Sequence, residues 1–176
     1  MRLIVLLLCV LLAPDHVAAQ SNSKQLPASA RALLNRRFPG WTFGDIDAEV
    51  QQFFNESLKD ASPVLISGDF DGNRRRDYAA LIKQGKEFND LGGPIRDRHL
   101  LVIFLRRTRG YRTYVIKDPT SGTYITLAKK GTGDYNYGTN KHVTYANDAI
   151  QLNYFEKAAT SYVYRKGRFI SFISGD

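Results

Sequence analysis

The chain has 176 residues, 43% of them hydrophobic, which is enough for one domain with a real core. It has a single cysteine, Cys9, which excludes a disulfide framework and a multi-thiolate metal site. Its 25 Lys and Arg against 17 Asp and Glu give a formal charge of +8, which suits an anionic surface such as nucleic acid, envelope phosphates or acidic polysaccharide, or serves solubility alone.

The chain opens MRLIVLLLCVLLAPDHVAAQ. Arg2 supplies a positive start, Leu3 to Ala13 an apolar run, and Val17-Ala18-Ala19 a small-residue end. That order reads as a secretory signal peptide over residues 1–19, cleaved after Ala19. The apolar run is too short to span a bilayer as a helix. Residues 20–25 are polar and read as a flexible lead-in. Residues 26–176 are expected to form one α+β domain, secreted or periplasmic after cleavage, with no transmembrane span in the mature chain. The run Leu100 to Leu105, LLVIFL, is strand-sized.

Leu26-Pro27 opens a helix in which Ala30, Leu33, Leu34 and Phe38 recur at helical spacing, and Pro39-Gly40 ends it. Trp41 to Ile46 suggests a short strand. Asp47 is placed to cap a second helix by accepting a bond from its first amides, with Val50, Phe53, Phe54 and Leu58 on one face. Lys59 to Ser62 reads as the exit turn. From Pro63 the period changes to two. Val64 to Phe70 and Tyr78 to Lys83 read as paired strands. Gly85 to Arg98 reads as a long polar loop around Gly92-Gly93-Pro94. His99 to Arg107 is apolar on both faces, as in a central strand. Tyr111 to Ile116 and Thr123 to Ala128 follow as strands. Lys129 to Lys141 carries three glycines and no period, so it reads as a mobile loop. Val143 to Tyr145 and Ala149 to Phe155 flank the turn Asn147-Asp148. SYVYR, Lys166-Gly167 and RFISFIS form a closing hairpin. Short links between neighbours favour antiparallel pairing. The expectation is α+β: two N-terminal helices on one face of a mainly antiparallel meander sheet of about seven strands.

One stretch concentrates side chains able to do chemistry, Ser67 to Leu81, SGDFDGNRRRDYAAL. Asp69, Asp71, Asn73 and Asp77 fall at positions 1, 3, 5 and 9 of a tight loop. That spacing can wrap oxygen ligands around a hard cation such as calcium. It can equally be a hairpin loop with Asx-turns and self-paired charges. Position 6, where calcium loops carry Gly for the sharp turn, is Arg74, with Gly72 two residues earlier. Position 12 is Ala80, which excludes an EF-hand. Arg74, Arg75 and Arg76 oppose a cation. At ~8 Å each does so by about 1 kcal/mol unscreened and roughly 0.4 screened, so the three weaken a site by roughly tenfold.

The pattern Gly68-Asp69, Asp71-Gly72-Asn73, Asp77-Tyr78-Ala79 resembles the calcium loops of FG-GAP (integrin-type β-propeller) repeats and their bacterial VCBS-like relatives. The resemblance covers about fifteen residues. It implies calcium as the cofactor, with side-chain oxygens from Asp69, Asp71, Asn73 and Asp77 and the carbonyl of Arg75. One copy cannot build a propeller. More widely, the mature chain is similar to small uncharacterised secreted bacterial proteins that combine an LP…L…FPGW segment, one DFDGN…DYA element and a closing hairpin. Here these are Leu26 to Trp41, Asp69 to Ala79 and Asp148 to Asp176. That likeness implies export and a one-domain architecture.

Catalytic patterns are sparse. His99 and His142 show no Ser–His–Asp motif and no metal-ligand spacing, and read as strand-edge residues. Asp69 and Asp71 could act as paired acid and base, but more simply share a cation or a turn. No P-loop or dinucleotide fingerprint is present. Nine of the ten tyrosines lie at or after Tyr111, among Arg106 to Arg112, Lys129-Lys130 and Arg165 to Arg168. They could form a basic aromatic face that stacks sugars or bases, or serve as ordinary half-buried strand residues. Three functions are therefore carried forward. The first is a non-enzymatic exported domain with a weak structural calcium site. The second is a basic binding module for an anionic envelope polymer or nucleic acid. The third is an envelope hydrolase using the loop carboxylates.

Overall fold

The computed structural model describes residues 25–58, 61–87, 96–117, 119 and 122–175. The signal segment 1–19 and most of the lead-in lie outside the described residues, as do 59–60 of the exit turn and Gly92-Gly93-Pro94. Two helices and eleven strands run in the order α1 (Ala28–Arg37), β1 (Thr42–Phe43), α2 (Ala48–Ser57), β2 (Leu65–Gly68), β3 (Asp77–Glu87), β4 (Arg96–Arg106), β5 (Tyr111–Lys117), β6 (Thr123–Ala128), β7 (Gly133–Asn136), β8 (Lys141–Thr144), β9 (Ala149–Tyr154), β10 (Ala158–Arg165) and β11 (Arg168–Gly175).

The fold is mainly antiparallel α+β, but the single meander of about seven strands is corrected to three sheets. The first has β3 at its centre, with β1 and β2 end to end along one side and β4 then β5 on the other. The second runs β11-β10-β9-β6, and β7-β8 is a separate hairpin. The reason is β4. LLVIFL is buried on both faces, so the sheet that contains it needs a cover on each side. On one face Leu100, Val102 and Phe104 meet Leu26, Ala30, Leu34 and Phe38 of the α1 segment. On the other, Leu101, Ile103 and Leu105 meet Ile125, Ile150 and Leu152 of the second sheet. Helices could not cover both faces, because α2 packs elsewhere. Its Phe54 meets Tyr124 of β6 edge-on, and its Phe53 lies tilted against Tyr124 and edge-on to Phe155.

The two large sheets are joined at both sides. The Ile125 amide donates to the Pro63 carbonyl at 2.8 Å, and the Tyr114 hydroxyl donates to the Gly167 carbonyl at 2.8 Å. The closing hairpin turns at Lys166 (φ 48°) and Gly167 (φ 84°), both left-handed, as a two-residue turn between twisted strands requires.

Three local expectations are corrected. Lys129 to Lys141 is no mobile loop but contains β7 and the turn into β8. Tyr145, just after β8, packs with Ala128, Ala149 and Val163 of the second sheet in a small separate cluster. The hairpin's Asp134 carboxylate accepts bonds from the Tyr145 hydroxyl (3.0 Å) and Gln151 (2.8 Å). Burial, the largest influence, pushes the Tyr145 phenol up to about 12. The polar loop from Gly85 to Arg98 is shorter than expected, since β3 runs to Glu87 and β4 starts at Arg96. A register shift between Lys83 and Lys86 absorbs Gly85 (φ 68°) as a bulge. Asp47 stands at the start of α2 but makes no side-chain capping bond. Its carboxylate lies against Gly122, where a Cβ would collide with it.

Ile103 is fully buried between the sheets. Ile103→Ala should destabilise the protein by about 2–5 kcal/mol through lost burial and the cavity left behind. Chemical unfolding measures this, and a loss below about half a kcal/mol would contradict a two-faced core.

Candidate cation loop

The acidic loop joins β2 to β3, which pair directly from Leu65↔Ala80 to Gly68↔Asp77. Its closing residue, Asp77, is wholly buried. Asp77 Oδ2 accepts the Phe70 amide at 2.9 Å and Oδ1 accepts the Arg106 amide at 2.6 Å. One carboxylate thus ties the loop's entry to the end of β4. Burial raises the Asp77 carboxyl to about 6. The Arg106 amide pulls it down, the Asp71 charge pushes it up, and the Phe70 amide and Asp69 charge follow in the same alternation.

Around this anchor the loop is cross-bonded. Asp69 Oδ2 accepts the Arg74 amide at 2.8 Å, and Asp71 Oδ1 accepts the Asn73 amide at 3.3 Å. Asn73 Oδ1 accepts the Arg75 amide at 2.8 Å, and Asn73 Nδ2 donates to the Arg106 carbonyl at 3.0 Å. Arg74 holds φ 63° and Gly72 φ 77°. The turn therefore needs a left-handed residue at the position where calcium loops carry Gly, and Arg supplies it at a cost of roughly 1–2 kcal/mol.

Asp69, Asp71 and Asp77 each offer an oxygen, and these lie within 4.8 Å of one another, so the group could hold a metal ion. Asp69 Oδ1 is buried with no hydrogen-bond partner. Asn73 spends its amide group on the loop and on Arg106, and Arg75 engages Asn73 through its own amide. The three loop arginines are exposed.

Two neighbours were not legible as site residues. Arg107, just after β4, forms a short ion pair with Asp71, whose side chain is only 5% exposed. The guanidinium is thereby held above its ordinary value, chiefly by the Asp71 hydrogen bond. Asp148, 79 residues away in sequence, reaches the loop from the β8–β9 turn. Its Oδ2 accepts the Asp69 amide at 3.0 Å and its Oδ1 the Lys130 amide at 3.0 Å. Burial opposes ionisation of Asp148, yet the Lys130 and Asp69 amides and the Lys129 ammonium outweigh it and hold the carboxyl low. Gly68 permits this approach, because a Cβ there would sit 2.8 Å from Asp148 Oδ2. Sequence carries only the Asn147-Asp148 turn signal, which says nothing of a partner.

Neither histidine belongs to the loop. His99 lies toward the far end of β4 with Nε2 buried and unbonded, so it is not the strand-edge residue expected. His142 is exposed in β8, edge-on to Tyr135 at 5.2 Å. The tyrosines form no open stacking face at the basic turns. Tyr111 and Tyr114 are half-buried beneath the Arg106 and Arg112 guanidiniums, each 5.0 Å from its ring. Comparison with models of known families, with curated proteins and with solved structures returned no match.

Asp77 yields a pH prediction. Its carboxyl titrates near 6 when folded against 3.8 as the ordinary value, so protonation favours the native state. The stability it contributes is complete below pH 3.8 and is lost as pH rises through about 6, roughly 3 kcal/mol in all. In chelator, wild type should lose stability relative to Asp77→Asn between about pH 4 and 7.5. Urea unfolding of both proteins across that range measures it. A difference that does not change with pH would remove Asp77 as a buried, charge-penalised group.

Proposed function

We propose that the protein is an exported, non-enzymatic domain whose Asp69–Asp77 loop takes a calcium-type cation as a structural brace. The observation carrying this reading is the three carboxylate oxygens within 4.8 Å, beside an Asp69 oxygen that is buried without a partner. An all-oxygen, carboxylate-rich donor set suits a hard cation rather than zinc or copper. Three carboxylates this close repel one another; Arg107 pairs directly with Asp71 and reaches Asp77 only through space. A divalent ion would relieve all three. Because the loop also bonds the end of β4 and the β8–β9 turn, a brace there stiffens the junction of the two large sheets. Chemistry by these carboxylates is disfavoured, since Asp77 has both oxygens on backbone amides and Asp71 is paired with Arg107. Export rests on the signal-like segment 1–19.

Competition from Arg107 and the exposed arginines sets the affinity in the sub-millimolar to millimolar range, as for weak extracellular modules. Calcium at about a hundred times its dissociation constant should raise the unfolding free energy by roughly 2.7 kcal/mol. Asp71→Ala should abolish that shift while the strands still pair. Arg74→Gly should stabilise the chelated protein by about 0.5–1 kcal/mol, the left-handed cost less the entropy of Gly, and tighten calcium binding. Calcium titration followed by thermal melting reads all three. If neither wild type nor Arg74→Gly responds to calcium, the loop is only a hairpin turn.

Export predicts that protein recovered from outside the cytoplasm begins at or near Gln20. Intact mass measurement decides it, and exported protein retaining Met1 would refute the cleavage.

A further inference from the structure

The basic charge of the chain is concentrated at one end of the fold. Segments 69–77, 106–112 and 165–168 hold ten basic residues against three acidic ones, a formal +7 of the chain's +8. They are far apart in sequence but meet in space. The β2–β3 loop touches the β4–β5 turn through Asp71–Arg107 and through Asn73 to the Arg106 carbonyl. The β5 strand touches the β10–β11 turn through the Tyr114 hydroxyl, 2.8 Å from the Gly167 carbonyl and 3.3 Å from the Tyr164 hydroxyl. Outside these segments the chain is close to neutral, at a formal +1. Solubility alone does not require such polarity.

We infer that this end is a docking surface for a linear phosphodiester polymer, bound through its phosphates. Nine of the ten cations are arginine. Arginine presents a planar fork that matches phosphate oxygens in pairs, whereas solvated lysine serves as a point charge. Two of the guanidiniums, Arg106 and Arg112, lie over tyrosine rings, which limits their freedom before any ligand arrives. The rings beneath them are half-buried, so a base or sugar finds no open stacking platform here. The large exposed hydrophobics among the described residues, Tyr137 and Ile173, lie outside these three segments. The surface therefore lacks the apolar wedge that inserts between base steps or into a bilayer. Contact is left to the backbone phosphates, and recognition is insensitive to the groups the polymer carries. This inference goes beyond the cation reading and does not depend on it.

The test is fluorescence anisotropy of a labelled oligothymidylate with the full chain in EDTA, which keeps the result separate from any calcium effect. With about four to six phosphates neutralised, log K should fall against log[NaCl] with a slope of roughly −3 to −4. Unlabelled poly(glycerol phosphate) should compete, which distinguishes the phosphodiester backbone from nucleic acid as such. The triple variant Arg75→Glu, Arg109→Glu, Arg168→Glu removes three exposed cations. It should weaken binding by about 50-fold at ~0.15 M salt and flatten the slope by about 2. The control Arg31→Glu, Lys141→Glu, Lys157→Glu makes the same net change at exposed sites elsewhere and should cost less than about threefold. Circular dichroism confirms that both variants fold. Equal losses in the two triples would mean bulk charge rather than a surface, and overturn the inference. So would equal competition by poly-glutamate, binding to anionic vesicles but to neither polymer, or no salt-dependent binding. Competition by oligonucleotide but not by poly(glycerol phosphate) would overturn the phosphodiester assignment in favour of nucleic acid.

Discussion

A single buried carboxylate holds the acidic-loop end of this fold together. Asp77 begins β3, and its two oxygens receive amides from two segments, Phe70 at the loop's entry and Arg106 at the end of β4. Buried amides need acceptors, and the two oxygens of one carboxylate can each serve an amide from a different segment. The consequence is that the β2–β3 loop and the β4–β5 turn are fixed at one height. From there Asn73 can reach the Arg106 carbonyl and Asp71 can reach Arg107. The same burial penalises the charge, which is why the carboxyl is held near 6. Asp148 then brings the second sheet to the loop through the Asp69 amide.

Where the fold was legible in sequence, one strong local signal decided it. LLVIFL has no polar alternation, and β4 is buried on both faces, as is the first half of β3 beside it. Lys166-Gly167 between alternating runs gave the β10–β11 hairpin. The α1 face was set by Ala30, Leu34 and Phe38 at helical spacing. Two-faced burial of β4 also implied a second layer, but periodicity cannot say whether that layer is helix or sheet. The second sheet covers it through Ile125, Ile150 and Leu152, which read in sequence as ordinary strand residues. β8 was read in part, as Val143 to Tyr145, but β7 was illegible because glycines at 131, 133 and 138 mask its alternation. What orders it is tertiary: Asp134 bonds Tyr145 and Gln151, and the Tyr137 amide bonds the Ile173 carbonyl at 3.1 Å.

The candidate site divides in the same way. Asp69, Asp71 and Asp77 were recognisable from spacing alone, because a tight loop must bring alternate residues to one side. Position 74 was recognisable as a turn position too, and its φ of 63° confirms the need for a left-handed residue. Arg107 and Asp148 were not recognisable as partners, because their role depends on which strands neighbour β3 and on how two sheets stack. Such pairings over 36 and 79 residues leave no local trace.

The loop and the basic end occupy one region without contradiction. Carboxylates point inward, where amides and Arg107 hold them, while the arginines of 74–76 stay exposed. Charges of opposite sign are thus layered, with the negative layer buried and the positive layer in solvent. A divalent cation in the loop would cancel part of the inner layer and carry the formal charge of this end from +7 toward +9. It would weaken the hold of Asp71 on Arg107 and strengthen the field felt by an approaching phosphate. On the proposed reading the arginines would weaken a cation held in the loop, and a cation held there would strengthen the pull of the arginines on an anion. Linkage requires the reverse as well: a polyanion on the surface screens the arginines and favours the cation beneath them.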